Sequence, residues 1–122
     1  MYKRQGVWRT MMNLTDIIDN CLENDTGDHR ALDSETAQFI RITLMNDTLV
    51  NSIHPSVYDA IIVTKYPVEL HKKMAGAIFI DKKNRFKDGQ NIISSVIKSI
   101  TKLRHEIYRV ETAKSAYLVI MK

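Results

Sequence analysis

Leu14, Ile17, Ile18, Cys21 and Leu22 recur at steps of three and four residues through "NLTDIIDNCLEN". That spacing puts every apolar side chain on one face of a 3.6-residue helix. Asn13 or Thr15 is available as the cap, and Asp16 and Asp19 suit the positive end of the helix dipole, so a short amphipathic helix is predicted over about residues 14–24. "DTGDHRALDSE" then loses all periodicity, carries a glycine and reads as an exposed loop over residues 25–36. From residue 37 onward Ile, Val, Thr and Tyr become frequent, and branched side chains favour the pleated surface of strands. In "FIRITLMNDTLVNSI", Ile40, Ile42 and Leu44 alternate with Arg41 and Thr43, and two runs flank Asn46-Asp47, which tolerate a tight turn. The pattern predicts a hairpin there.

Further along, "VYDAIIVTKYPVEL" reads as a strand closing at Pro67, which cannot donate to a ladder. "GAIFI" and "RF" on either side of "DKKN" predict a second hairpin. "EIYRVETAKSAYLVIM" supplies more strand, with Tyr108, Val110 and Thr112 on one face and Tyr117, Val119 and Met121 on one face. "NIISSVIKSITKL" fits two periods. Ile92, Ile93, Val96, Ile97, Ile100 and Leu103 match a helix that Asp88 could cap, yet the run is dominated by Ile, Val, Ser and Thr, poor helix formers. Composition favours strand over helix for residues 92–103. The expected fold class is α+β: a short N-terminal helix followed by an antiparallel small β-barrel or a strongly bent sheet. Residues 1–12 are expected to be artefactual or disordered, and residues 13–122 to form a single domain of helix 13–24, loop 25–36 and β-rich part 37–122.

With 122 residues, 44% apolar and 26% charged, the chain suits one domain with its own core and neither global disorder nor a disulfide scaffold. Cys21 has no intramolecular partner, no apolar run reaches the roughly 20 residues of a membrane span, and no signal-peptide core is visible. A cytoplasmic protein is expected, in host cytoplasm if phage-encoded. The net charge of +4 hides a split: Met11–Asp59 holds two Lys/Arg against nine Asp/Glu, and Ala60–Lys122 holds 13 against five. Such a split marks an electropositive face for a polyanion or complementarity between the two halves.

"MYKRQ" resembles the translated end of a transposase sequencing adapter. The resemblance implies that Met1–Gln5 came with an assembled environmental sequence, that Met11 or Met12 is a start, or that the start lies upstream. The competing reading is a basic N-terminal arm.

"FIRITLMNDTLVNSIHPSVYDAIIVTKYPVEL" resembles the first half of an Sm-like, SH3-type small barrel of the kind encoded by phages. "RFKDGQNIISSVIKSI" and "VETAKSAYLVI" are similar to its later strands, so the resemblance extends over about residues 38–121. The resemblance implies a barrel and self-association. Sm-like RNA readers use an Asp-x-aromatic-x-Asn loop and an Arg-Gly pair. Here Asp59 is followed by Ala60, Ile61 and Ile62, and no Arg-Gly occurs, so the base-stacking pocket does not carry over.

For catalysis, the chain lacks a Gly-rich phosphate loop, a nucleophile elbow, HExxH and paired zinc cysteines. His54, His71 and His105 lie scattered on polar stretches, and His29 with Asp25 and Asp28 makes only a loop. Cys21 belongs to the apolar face of the first helix. A non-catalytic protein with no cofactor, no metal and no small-molecule substrate is expected. The candidate site is "DKKNRFK": Lys82, Lys83, Arg85 and Lys87 around Phe86, with Lys72 and Lys73 nearby in sequence, could neutralise phosphates while Phe86 stacks on a base. A solvated turn with edge-protecting lysines is the competing explanation. Two functions follow: a small, phage-derived interaction or assembly protein with a protein partner or itself, or a nucleic-acid-binding regulatory protein using this basic hairpin.

Overall fold

The computed structural model describes residues 13–122. Among the described residues three helices, α1 (Leu14–Glu23), α2 (Ser34–Asn46) and α3 (Thr48–Asn51), and a 3-10 turn at Pro55–Val57 precede six strands. These are β1 (Ala60–Val63), β2 (Ala75–Phe79), β3 (Gln90–Ile93), β4 (Ile97–Arg104), β5 (Ile107–Thr112) and β6 (Ala116–Ile120). They form one sheet in the order β3-β2-β1-β6-β5-β4. Neighbours are antiparallel except β1 and β6, which run parallel with Ile61 opposite Leu118 and Val63 opposite Ile120. The sheet is therefore mixed and not closed, where a small antiparallel barrel is one of the two forms the sequence predicts.

Its bend follows from chain length. In a flat six-stranded sheet the outer strands would lie roughly 24 Å apart. The four residue steps from Ile93 to Ile97, which join one edge to the other, span at most about 14 Å. The sheet must curl, and backbone bonds confirm the approach: Ile97 N–H donates to Lys72 O and His71 N–H to Ile97 O, both at 2.9 Å. Ala60, Ile62, Ile78, Ile97, Val110, Tyr117 and Val119 fill the inside of this curl. Ile61, Val63, Phe79, Ile107, Leu118 and Ile120 face the other way, against Leu14, Ile18, Ile40, Leu44, Val50 and Ile53 of the helical layer. Burial on both faces explains why β1 is four consecutive apolar residues rather than an alternating strand.

α1 lies where the periodicity puts it. The second element does not: Ser34–Asn46 is a helix, where alternation predicts a strand and a hairpin at Asn46-Asp47. Residues 34–36, expected in a loop, are its first turn, and the β-rich part begins at Ala60 instead of residue 37. The reason is local. The Asp33 side chain accepts from the N–H of Thr36 at 2.8 Å, supplying the N-cap, and Ala37, Ile40 and Leu44 also fit a helical face. Asp47 caps α3, accepting from the N–H groups of Leu49 and Val50, and makes no hairpin turn. Helix α2 is fastened to the β2–β3 loop by the Arg41–Asp88 ion pair and by Gly89, where φ is 85° and a Cβ would lie 2.7 Å from that of Ala37.

Residues 92–103 are strands β3 and β4, as composition favoured. The first of these, however, begins at Gln90, and the "RF" expected as a return strand belongs to the loop before it. β1 ends at Val63, so Pro67 lies in the following loop rather than at a strand end. The two alternating faces read near the C-terminus hold, with Tyr108, Val110, Tyr117, Val119 and Met121 all in the inner cluster. The expectation for residues 1–12 falls outside the described residues.

Helix and strand make different demands on the 40–44 stretch, because a strand would put Ile40, Ile42 and Leu44 on one face. In α2, Leu44 is 0% and Ile42 51% exposed. Leu44→Ala is expected to lower unfolding free energy by about 2–5 kcal/mol and Ile42→Ala by no more than about 0.5 kcal/mol in urea denaturation. Equal losses would favour the strand.

Candidate functional site

The residues of the predicted basic site do not gather. Lys72 and Lys73 precede β2, whereas Lys82, Lys83, Arg85, Phe86 and Lys87 follow it, at the opposite end of a five-residue strand roughly 16 Å long. Lys72 pairs with Glu69 at 3.3 Å.

Loop 81–87 is built around Asp81, whose side chain is 1% exposed. Its carboxylate accepts from the backbone N–H groups of Lys83, Arg85 and Phe86 at 3.2, 2.7 and 3.2 Å, and from Arg85 Nε and Nη2 at 3.2 and 3.1 Å. Burial opposes its charge, but these hydrogen bonds, above all from Arg85, hold the Asp81 carboxyl below its ordinary 3.8. Arg85 also donates to Ser115 Oγ at 2.7 Å. Lys83 donates to Lys114 O at 3.1 Å and lies 3.8 Å from Asp59. Lys82 donates to the carbonyls of Pro55 and Tyr58 and sits 3.7 Å above the Tyr58 ring, where desolvation lowers its pKa against the pull of Asp59. Three of the five residues thus fasten the loop to the N-terminal ends of β1 and β6, and half-buried Phe86 packs on the inner cluster. Lys87 and Lys73 are exposed and make no ion pair among the described residues.

The helical layer offers a different surface. Phe39, Ile42, Met45 and Leu49 stand 55%, 51%, 52% and 41% exposed, an outward stripe on α2 continued by α3. Beside it, a groove of about 840 Å³ runs between α1 and α2, where Ile17, Cys21 and Phe39 are the apolar lining among polar neighbours that include Asn20, Asp33 and Glu35. Cys21 is half-buried there and burial pushes its thiol pKa up, which fits a packing role. Residues 13–59, the layer that bears this groove, contain two Lys/Arg and nine Asp/Glu. Exposed apolar side chains thus stand on the half of the chain that is rich in carboxylates. The signal was present in the sequence as Phe39, Ile42 and Met45 three residues apart, legible only once residues 34–46 are known to be helical.

His54, His71 and His105 are exposed, and His54 Nδ1 accepts from Ser56 N–H at 3.1 Å as the cap of the 3-10 turn. Among the described residues no His, Cys, Asp and Glu cluster could hold a metal ion, and no helix is long and apolar enough to cross a membrane.

The chain is 98% identical over 112 residues, 92% of its own length and the whole of the relative, to an uncharacterised 12.8 kDa protein of the cd-pseT intergenic region of Enterobacteria phage T4. It belongs to the family of that phage protein. The phage origin inferred from the sequence agrees with this relative. No protein-family model matches the chain, and no solved structure does.

The acid limb of stability reports on Asp81. A carboxyl with a depressed folded pKa stabilises the fold above its unfolded value of 3.8, and that contribution is lost as pH falls through the folded value. The gap in urea midpoint between the wild type and Asp81→Asn is therefore expected to be large at pH 7 and to narrow below pH of about 4. A gap independent of pH would contradict the hub role.

Proposed function

We propose that the chain is a small non-catalytic interaction protein of phage origin, which takes a basic amphipathic helix of a protein partner on its helical layer. The observation that supports this reading is the coincidence of the Phe39–Ile42–Met45 stripe, the adjacent α1–α2 groove and the acidic excess of residues 13–59. An amphipathic helix would lay its apolar anchors on Phe39 and Ile42 and set Lys or Arg against Glu35 and its neighbours, in the helix-in-groove mode. The partner's charge would raise the association rate, and the apolar contacts would set the residence time.

A nucleic-acid-binding regulatory protein is the second reading. It draws support from β4, whose exposed Lys98, Lys102 and Arg104 line an outer strand, with Lys102 Nζ 5.9 Å from the Tyr108 ring. Phosphate neutralisation needs free cations, and β4 supplies more of them than loop 81–87.

Both readings are testable on the intact chain. A fluorescent Leu/Lys amphipathic peptide is expected to bind, with affinity weakened about tenfold or more by Phe39→Ala combined with Ile42→Ala at unchanged melting temperature. Failure to bind, or equal binding by the variant, would exclude the helical-layer site. In a parallel gel shift with random single-stranded RNA and DNA, steep loss of affinity with salt and sensitivity to Lys102→Glu would favour the second reading.

A further inference from the structure

The single parallel pair in the sheet leaves an opening at one end. Antiparallel neighbours can be joined by a tight turn but parallel strands cannot, and among the described residues no turn joins the carboxyl ends of β1 and β6, which meet only through Thr64 N–H and Ile120 O. After Val63 the chain turns away toward β2, Met121 and Lys122 continue from Ile120 along one side, and Thr15, Ile18 and Asp19 of α1 line the other. The result is a crevice of about 590 Å³, within the size range of small-molecule sites.

Its walls are of two kinds. Ile18 of α1, Val63, Val68 and Ile120 supply its apolar lining, and Tyr66, 67% exposed, lines it beside Lys65. The Lys65–Tyr66 turn is held in place: Thr64 Oγ1 accepts from Tyr66 N–H at 3.1 Å and donates to Ala75 O at 2.7 Å, while Thr64 N–H reaches Ile120 O at 3.3 Å. The two cations at the crevice differ in their commitments. Lys122 lies 3.4 Å from both Asp16 and Asp19, whereas Lys65 is exposed and has no ion pair among the described residues.

We propose that this crevice binds a small aromatic molecule carrying one anionic group, its ring against Tyr66 and the apolar lining and its charge at Lys65. The exposed Tyr66 ring is available for stacking, and a tyrosine has only two side-chain torsions to immobilise. Lys122 and its partner Asp19 also line the crevice, and their pairing leaves Lys65 as the free positive charge there among the described residues. The site is separate from the helical-layer surface, which uses Phe39 and Ile42, so the two stand or fall independently.

The test is a two-probe NMR titration of the full chain with 8-anilinonaphthalene-1-sulfonate and its neutral analogue N-phenyl-1-naphthylamine. Amide shifts are expected to centre on Thr64–Val68 and Met121–Lys122. Tyr66→Ala should weaken both probes about fivefold. Lys65→Glu should weaken only the anionic probe, by about threefold. Both side chains are exposed, and unchanged spectra elsewhere would verify that the variants fold. Shifts centred on Phe39, Ile42 and Met45, equal effects of Lys65→Glu on the two probes, or no saturable binding would each overturn the proposal.

Discussion

The parallel pairing of β1 with β6 is the constraint on which the rest of the structure depends. It joins two antiparallel units, β3-β2-β1 and β6-β5-β4, into one sheet, and it places Ile61 beside Leu118 and Ile62 beside Val119 at the centre. Every one of these four side chains is at most 1% exposed. Parallel strands need both faces covered. The helices supply one cover. The other comes from the sheet itself, which curls so that its outer strands, three residues apart in sequence, bring Ile92 and Ile97 onto the same inner cluster. Gly76 marks how tight the centre is, since a Cβ there would lie 2.6 Å from Ile62 Cγ2 and 2.7 Å from Val63 O. Among the described residues the same pairing leaves the carboxyl ends of β1 and β6 without a connecting turn, and the crevice lies there.

Charge is arranged around this frame. Of the two meanings a split between acidic and basic halves can have, internal complementarity is visible in the Lys122 pairs with Asp16 and Asp19, in Lys83 with Asp59 and in Arg41 with Asp88, each joining one half to the other. These pairs are partly exposed and contribute little each to stability. Their effect is to fix where the halves meet. They leave the outer side of α2 apolar and β4 edged with exposed lysines, so the two surfaces differ in character.

Sequence patterns revealed those parts of the molecule that local periodicity decides. Leu14, Ile18 and Cys21 fit only a helix, and Tyr117, Val119 and Met121 fit only a strand face. Ile40, Ile42 and Leu44 fit both periods, and the residues that decide are outside the run: Asp33 as the cap and Ala37 as the first residue of the apolar face. Partner choice between strands was beyond reach, because nothing local to Ala60–Val63 distinguishes a parallel neighbour from an antiparallel one. The basic loop was visible as a turn and as a cluster of cations. Its organisation was not, because whether Asp81 folds back onto Lys83, Arg85 and Phe86 depends on the loop conformation. Asp at the start of a Lys-Lys-Asn turn was the available hint, since such carboxylates commonly accept from the backbone two residues on.

The architecture rests on the register at the centre of the sheet. Long-range NOEs between backbone protons of residues 60–63 and 117–120 would measure it. Parallel pairing predicts contacts that advance together, with Ile61 near Leu118 and Val63 near Ile120. Contacts that advance in opposite directions, or none between these strands, would contradict it and return the chain to an antiparallel architecture.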